Sequence, residues 1–598
     1  MSLKIAILDS GVKRAHPSFE KDQVRGFSLH VKNNKVELSK DFEDCIGHGT
    51  AIFYLINTQL KKDKICAEIF NIKILDSYTH LAQEDFELIL KYIYEHFEFD
   101  VINISMGFVQ CGNISNIQDI CKKIYESGTV IVSAFNNNGA ISFPAALNNV
   151  IGVDSQHFEN LDNEYVCIKN SVVNVVGKQH SMRVAWINPD YIFVSGNSFV
   201  CANVTVQIAK QIVKRGVFDI NVLCNQTYSF NKKQEYQIPF RIEKAAIYPF
   251  NKEIHAIARF EDMLYFDVVG YYAPRISGQV GKKILDILPN CNNNTIIKDI
   301  DDINLDEIDT LILGHNEILN VLSKKSSDCS IAEVAIKKRK NIYCFDPPNA
   351  LLSKNIVFDN VYYPKFTEEF FTKRFGKLYK TSKPVLSIIG TNSKQGKFSL
   401  QLSLRKKFIE LGYSVGQLGT EPTSLLFGFD SIFPCGYNGH IKLDIPQTIT
   451  AVNELIWEIT QKDPDIIITG GQSGFLPYND LNARMFPSYN QIVFSAIQPD
   501  AIVLCINPYD DVNFIERTIK AAEGLSCGKV IGIVCFPMDA TNGWEGRMGM
   551  KERITLEREL EIKSQLSSKF NDKFGIYMLD KCSDIDDLVL NIIHFFSN

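Results

Sequence analysis

The sequence predicts an α/β protein of three doubly wound units, each a largely parallel sheet flanked by helices. Short β-branched runs such as KIAIL, VINIS and TVIVSA alternate with amphipathic stretches such as EDFELILKYIYEHF, whose apolar residues recur at three and four. The same rhythm resumes twice further along the chain, as an α/β parallel sheet requires. A length of 598 residues, at about 150 per domain, is chain for three or four folded units.

The first unit runs from residue 1 to 216. From 217 to 243 the rhythm lapses into polar QTYSFNKKQEYQ, which reads as a linker or small adaptor. A second alternation spans 244–380 through KAAIYPF, YFDVVGYYAP, DTLILGH and NIYCFDPP, the spacing of a small Rossmann-like sheet. The third unit, 381–598, opens with PVLSIIG and continues through DIIITGG, AIVLCIN and VIGIVCF.

Composition excludes several classes. With 45% hydrophobic and 22% charged residues the chain is ordered and globular. A balance of 63 basic to 69 acidic residues, net −6, gives no pull toward nucleic acid or an anionic membrane, so neither is expected as a partner. Lys337, Lys338, Arg339 and Lys340 read as a solvated helix end. The start MSLKIAILDSG holds no signal-peptide core and no run of 18 apolar residues follows, so a cytoplasmic location is expected. Fifteen cysteines without a C-x-x-C pair point to reduced thiols rather than zinc or a disulfide framework.

Three residues stand in chemically suggestive phrases. Asp9 ends the apolar run KIAIL in DSG, where a strand terminus can hold a carboxylate in fixed orientation. His48 in GHGTA opens a buried helix. Ser198 in SGNSFVCANV follows a small-residue turn at a helix start, next to free backbone donors. A serine hydroxyl becomes a nucleophile only if an imidazole takes its proton, and a carboxylate then holds the ring in the useful tautomer.

The phrases DSGVKRAHP, GHGTA, VINISMG and GNSFVCANV, in the order Asp, His, Ser, resemble the subtilisin-like serine proteases over about the first 215 residues. The resemblance implies the catalytic set Asp9, His48 and Ser198. It also implies an oxyanion-hole asparagine in VIVSAFNNNGA, where counting from the strand and from Gly139 selects Asn137, with Asn136 as the alternative. Ser105, Met106 and Gly107 resemble the strand end on which that family lays out a peptide by strand addition. Asn197 and Asn203 stand where the family commonly has threonine and histidine.

In the third unit, strand, Gly-rich turn and helix follow one another in PVLSIIGTNSKQGKFSLQLSL, the context of a phosphate-binding loop. Gly390, Thr391, Asn392, Ser393, Gln395 and Gly396 would wrap an anion with backbone N–H groups, Lys397 would add charge, and Ser399 would ligate Mg²⁺. Five residues rather than four separate the glycines, and Phe398 stands where a hydroxyl residue normally follows the lysine. Both departures resemble the dethiobiotin-synthetase branch of P-loop proteins and the family that includes D-glutamate N-acetyltransferases. The resemblance implies ATP, another nucleotide or acyl-CoA as ligand.

Together these likenesses imply a cytoplasmic endopeptidase that removes the leader from a ribosomally made precursor peptide, fused to a nucleotide- or acyl-CoA-binding module. The arrangement resembles bacterial peptide-maturation proteins, with a peptide-modifying enzyme as a further partner. The alternatives are a peptide-binding scaffold whose C-terminal half carries acyl or phosphoryl transfer, and a regulatory ATPase.

Overall fold

The computed structural model describes residues 2–76, 81–109, 114–156, 165–169, 172–223, 227–229, 238–288, 291–315, 327–347, 360–364, 376–435, 443–478, 481–482, 485–539, 552–571 and 573–597. The chain forms two compact units, Met1–Lys233 with Glu369–Ser382, and Gln234–Glu368 with Lys383–Asn598. Most of the polar stretch 226–237, read as a linker, lies outside the described residues.

The first unit is built on a ten-stranded sheet. Its centre is the strand Leu3–Asp9, paired in parallel with Ala67–Lys73 on one side and Val101–Ile104 on the other. Val130–Ala134 and Ile151–Gln156 extend the parallel run. Leu3–Asp9, Val101–Ile104 and Val130–Ala134 are almost wholly buried and read as near-continuous apolar runs, as the inner strands of parallel sheets do. Two helices, His48–Lys62 and Asn197–Arg215, lie in one core with Ile5 and Ile7 of the central strand. Ile52 and Ile56 on the first, and Val200, Val204 and Ile208 on the second, recur at four-residue spacing and are buried. Each such side chain contributes about 1.5–3 kcal/mol relative to exposure. That shared core fixes the two helix starts, and therefore His48 and Ser198, at the carboxyl edge of the sheet.

The second unit holds two parallel sheets. The first takes the order Lys298–Asp299, Asp267–Ala273, Lys244–Tyr248, Thr310–Leu313, Asn341–Cys344, Val361–Tyr362. In chain order this is 3-2-1-4-5-6, the doubly wound arrangement with a switch point between its first and fourth strands. The second sheet has seven strands, with Val385–Gly390 between Ile466–Gly470 and Ala501–Ile506. Leu425, Leu426, Phe427 and Phe429 of the second sheet's connections share a core with Ile247, Tyr271 and Tyr343 of the first. Tyr343 donates its hydroxyl to the Pro422 carbonyl at 2.7 Å.

Among the described residues one cysteine departs from the expectation of reduced thiols: Cys167, on the strand Tyr165–Lys169, is disulfide-bonded. Spacing along the chain is blind to a bridge formed between positions that folding brings together. Among the described residues no helix is long and apolar enough to cross a membrane.

Candidate active site

Asp9 closes the central strand and is buried. Its Oδ1 accepts the Ser10 N–H at 2.8 Å, and both its oxygens lie 2.9 Å from His48 Nδ1. The Asp9 contacts place a proton on Nδ1 and leave Nε2 with its lone pair facing away from the carboxylate.

His48 is the first residue of its helix, and the helix start is built for close approach. Gly47 adopts φ +103°, and a Cβ there would meet the Trp186 ring at 2.5 Å. A Cβ on Gly49 would strike the Gly11 carbonyl at 2.3 Å, so only glycine lets the helix abut the DSG turn. Buried Asp44 accepts from Ile46 N, Gly47 N, Thr50 N and Thr50 Oγ1, and Ser10 Oγ accepts from Gly49 N at 2.9 Å. The amides around the histidine are therefore held by a carboxylate and a hydroxyl rather than by water.

The His48 side chain is 29% exposed. Burial works to lower its pKa, but the Asp9 charge and hydrogen bond, with the Asp44 charge, outweigh it and leave the imidazole above its ordinary value. Its ring lies 5.4 Å from that of Phe199, so the imidazole stands beside the residue after Ser198.

Ser198 sits in the first turn of its helix, where its backbone N–H has no intrahelical acceptor. Its Oγ donates to the Ser105 carbonyl at 3.0 Å. Ser105 is buried, while Met106 and Gly107 continue past the strand end half-buried. The hydroxyl therefore rests on the strand end singled out for peptide binding.

The two asparagines separate by their partners. Asn136 Oδ1 accepts the Asn138 N–H at 2.7 Å, closing a turn on its own backbone. Asn137 is exposed, and its Oδ1 accepts the Asn197 N–H at 2.8 Å, next to Ser198. That contact fixes the carboxamide with its NH₂ still able to donate. Gly196 has φ +139°, and a Cβ there would lie 3.0 Å from Asn137 Oδ1.

In the second unit the turn after Val385–Gly390 leads into the helix Lys397–Glu410 through Gly396 at φ +73°. Gln395 occupies the turn's interior, accepting Asn392 N at 2.9 Å and donating to Thr391 Oγ1 and, at 3.1 Å, to Asp510. Thr391 also donates to Asp510. Buried Lys397 donates to the Asn392 carbonyl at 2.7 Å, and burial lowers its pKa to about 8. Ser393 is exposed, with its N–H on Asn392 Oδ1 at 2.7 Å, and Ser399 is half-buried on the helix. Phe398 packs against Phe427 and Phe429, which accounts for an aromatic residue after the lysine.

Residues 2–215 match the Subtilase family. These residues form a subtilase domain. The first unit thus carries a domain of the subtilisin-like serine endopeptidases. Residues 373–533 match a domain of unknown function described as the DUF1611_C P-loop domain. Among solved structures, a cold-adapted subtilisin-like serine proteinase is 18% identical, over 37% of this chain and 79% of its own, with a TM-score of 0.30. The prenylagaramide maturation protease PagA is 20% identical over 36% of this chain and 77% of its own, TM-score 0.28. A DUF1611 family protein from Anabaena variabilis is 14% identical over 59% of this chain and 99% of its own, TM-score 0.41. No curated protein matches the chain.

Several residues of the subtilase domain have partners that the sequence did not reveal. Asn197 accepts from Ser155 Oγ at 2.6 Å and donates to the Phe135 carbonyl at 3.0 Å, so it ties the start of the serine helix to the loop that carries Asn137. Asn203 Nδ2 donates to Met182 Sδ at 3.4 Å. Asp44 is recognisable in retrospect as an acidic residue four positions before His48, ahead of the helix start.

In the second unit, His315 follows the strand Thr310–Leu313 and lies 2.7 Å from Asp346, which follows Asn341–Cys344. Asn251, after Lys244–Tyr248, donates to the His315 carbonyl at 2.9 Å. This group sits at the carboxyl edge of the switch point, 31 residues separating the histidine from its carboxylate, which no local motif reveals.

Proposed function

We propose that Asp9, His48 and Ser198 are the catalytic residues of the subtilase domain and that Asn137 with the Ser198 N–H forms its oxyanion hole. The observation that carries this reading is the pair of 2.9 Å contacts from both Asp9 oxygens to His48 Nδ1, which leave Nε2 as the free base. A peptide adding as a strand along Ser105, Met106 and Gly107 presents an N–H to the Ser105 carbonyl. That N–H displaces the Ser198 hydroxyl, which turns about one bond to His48 Nε2. His48 then takes the proton as Oγ attacks the scissile carbonyl and returns it to the leaving amine, while Asp9 stabilises the imidazolium. Water completes hydrolysis of the acyl-enzyme by the same route.

The substrate we assign is a ribosomally made precursor peptide cut between leader and core, with a peptide-modifying enzyme as a further partner, in the cytoplasm. Incubation of the full chain with a defined peptide mixture in H₂¹⁸O tests the activity. New carboxyl termini carrying ¹⁸O are the expected result. A mixture that stays intact contradicts it.

The P-loop domain is read as a site for the phosphates of a nucleotide or of acyl-CoA. Lys397 and the amides from Lys394 to Lys397 would hold the anion, and Ser399 would hold Mg²⁺ where one accompanies a nucleotide. A buried ammonium with its pKa lowered to about 8 gains stability from an arriving anion. Calorimetry with ATP and with acetyl-CoA is expected to show binding that weakens as pH rises from 7 to 9 and that Lys397→Ala abolishes. Equal binding by the variant contradicts this assignment.

A further inference from the structure

The segment 376–382 comes after the whole first sheet of the second unit, yet it belongs to the first unit. Leu378 bridges Ala140, and its carbonyl accepts the Ile141 N–H at 2.9 Å. The neighbouring Lys377 carries its charge into the subtilase core. Lys377 Nζ lies 3.0 Å from Asp154 Oδ1 on the strand Ile151–Gln156, and both side chains are only 5% exposed. The same ammonium lies over the Phe135 ring at 5.5 Å and donates to the Asn136 carbonyl at 3.3 Å.

That carbonyl is half of the peptide plane leading into Asn137. It also receives Asn197 Nδ2 at 3.4 Å and Gly139 N at 3.3 Å. One donor comes from the residue before Ser198, one from the loop's own turn, and the only charged one from Lys377. A peptide plane fixed on its carbonyl side fixes the following Cα, and Asn137 Oδ1 is separately anchored on Asn197 N. The carboxamide NH₂ then has a set position before substrate arrives, which is what an oxyanion donor needs.

We propose that Lys377 is a positioning residue for the oxyanion loop: paired with Asp154, it clamps the Asn136 carbonyl and so aims the Asn137 amide. The subtilase catalytic apparatus is then completed by chain lying far beyond the subtilase match. This inference rests on the reading of Asn137 as an oxyanion donor.

The test measures the rate of fluorophosphonate labelling of the full chain, because phosphonylation of Ser198 draws on the same donors. Lys377→Met is combined with Asp154→Leu so that no buried carboxylate loses its partner. Labelling is expected to slow about 10- to 100-fold, the scale on which a displaced catalytic donor acts. In an Asn137→Ala background the same two substitutions are expected to change the rate by less than about threefold, since the group they aim is gone. The polar pair Lys377→Gln with Asp154→Asn keeps the hydrogen bonding where the apolar pair does not fold, and is expected to fall between wild type and the apolar pair.

A merely structural role would slow labelling equally in both backgrounds, and that result overturns the proposal. So does labelling at the wild-type rate by either folded pair. A wild-type chain that does not label overturns the protease reading and this inference together. Labelling of the wild type that is insensitive to Lys377 overturns the inference alone.

Discussion

Ser198→Ala is expected to remove peptide cleavage by a factor on the order of 10⁵–10⁶ while leaving the fold intact. The side chain is small, and among the described residues its hydroxyl makes one hydrogen bond, to the Ser105 carbonyl. That carbonyl sits at the strand end where substrate N–H groups are proposed to dock, so the alanine variant should still bind peptide. What disappears is the oxygen proposed to form the acyl-enzyme. The check is a comparison of cleavage rate by mass spectrometry with peptide affinity and thermal midpoint for the same two proteins. Unchanged cleavage would remove Ser198 from the chemistry.

Asp9→Asn is expected to lower kcat/KM by about 10⁴-fold. The amide can donate to Nδ1, which turns the proton onto Nε2 and deprives Ser198 of its base. The pH profile supplies an independent sign. The Asp9 charge and hydrogen bond, with the charge of Asp44, overcome the burial that works to lower the His48 pKa. In the wild type, His48 therefore holds its proton to a higher pH than an ordinary imidazole does, and in the proposed mechanism it cannot act as a base until that proton is lost. The acid limb of kcat/KM should rise through that displaced value. With Asp9 neutral, burial is opposed only by Asp44, so the residual activity of the variant should have its limb at lower pH. A limb that does not move would mean that the carboxylate does not act on the ring.

How much of this was legible before folding depends on the range of the interaction. The strands and helices of all three sheets follow from local periodicity, because two-residue and 3.6-residue repeats are local properties. Asp9, His48 and Ser198 could be singled out as candidates because each sits in a short phrase that shapes its own backbone: DSG at a strand end, GHGT at a helix start, GNS before a helix. Counting along the chain favoured Asn137 but left Asn136 as an alternative, since adjacent identical residues share most local cues. Only the contact with Asn197 and the turn closed by Asn136 distinguish them.

Long-range electrostatics left no trace in the pattern. Lys377 reads as one lysine among several in KRFGKLYK, and its burial against Asp154 exists only once distant chain is laid beside the loop of Asn136 and Asn137. His315 and Asp346 meet because neighbouring parallel strands end together. Phe398, a departure from the phosphate-loop pattern, became intelligible through the aromatic residues it meets. The disulfide-bonded state of Cys167 was invisible for the same reason.

Reaction of the folded full chain with a fluorophosphonate, followed by peptide mapping, addresses the activated serine directly. The account predicts one adduct, on the peptide containing Ser198, formed rapidly in the wild type and lost in Ser198→Ala. A folded wild-type chain that takes up no probe, or that carries it on another serine, would contradict it.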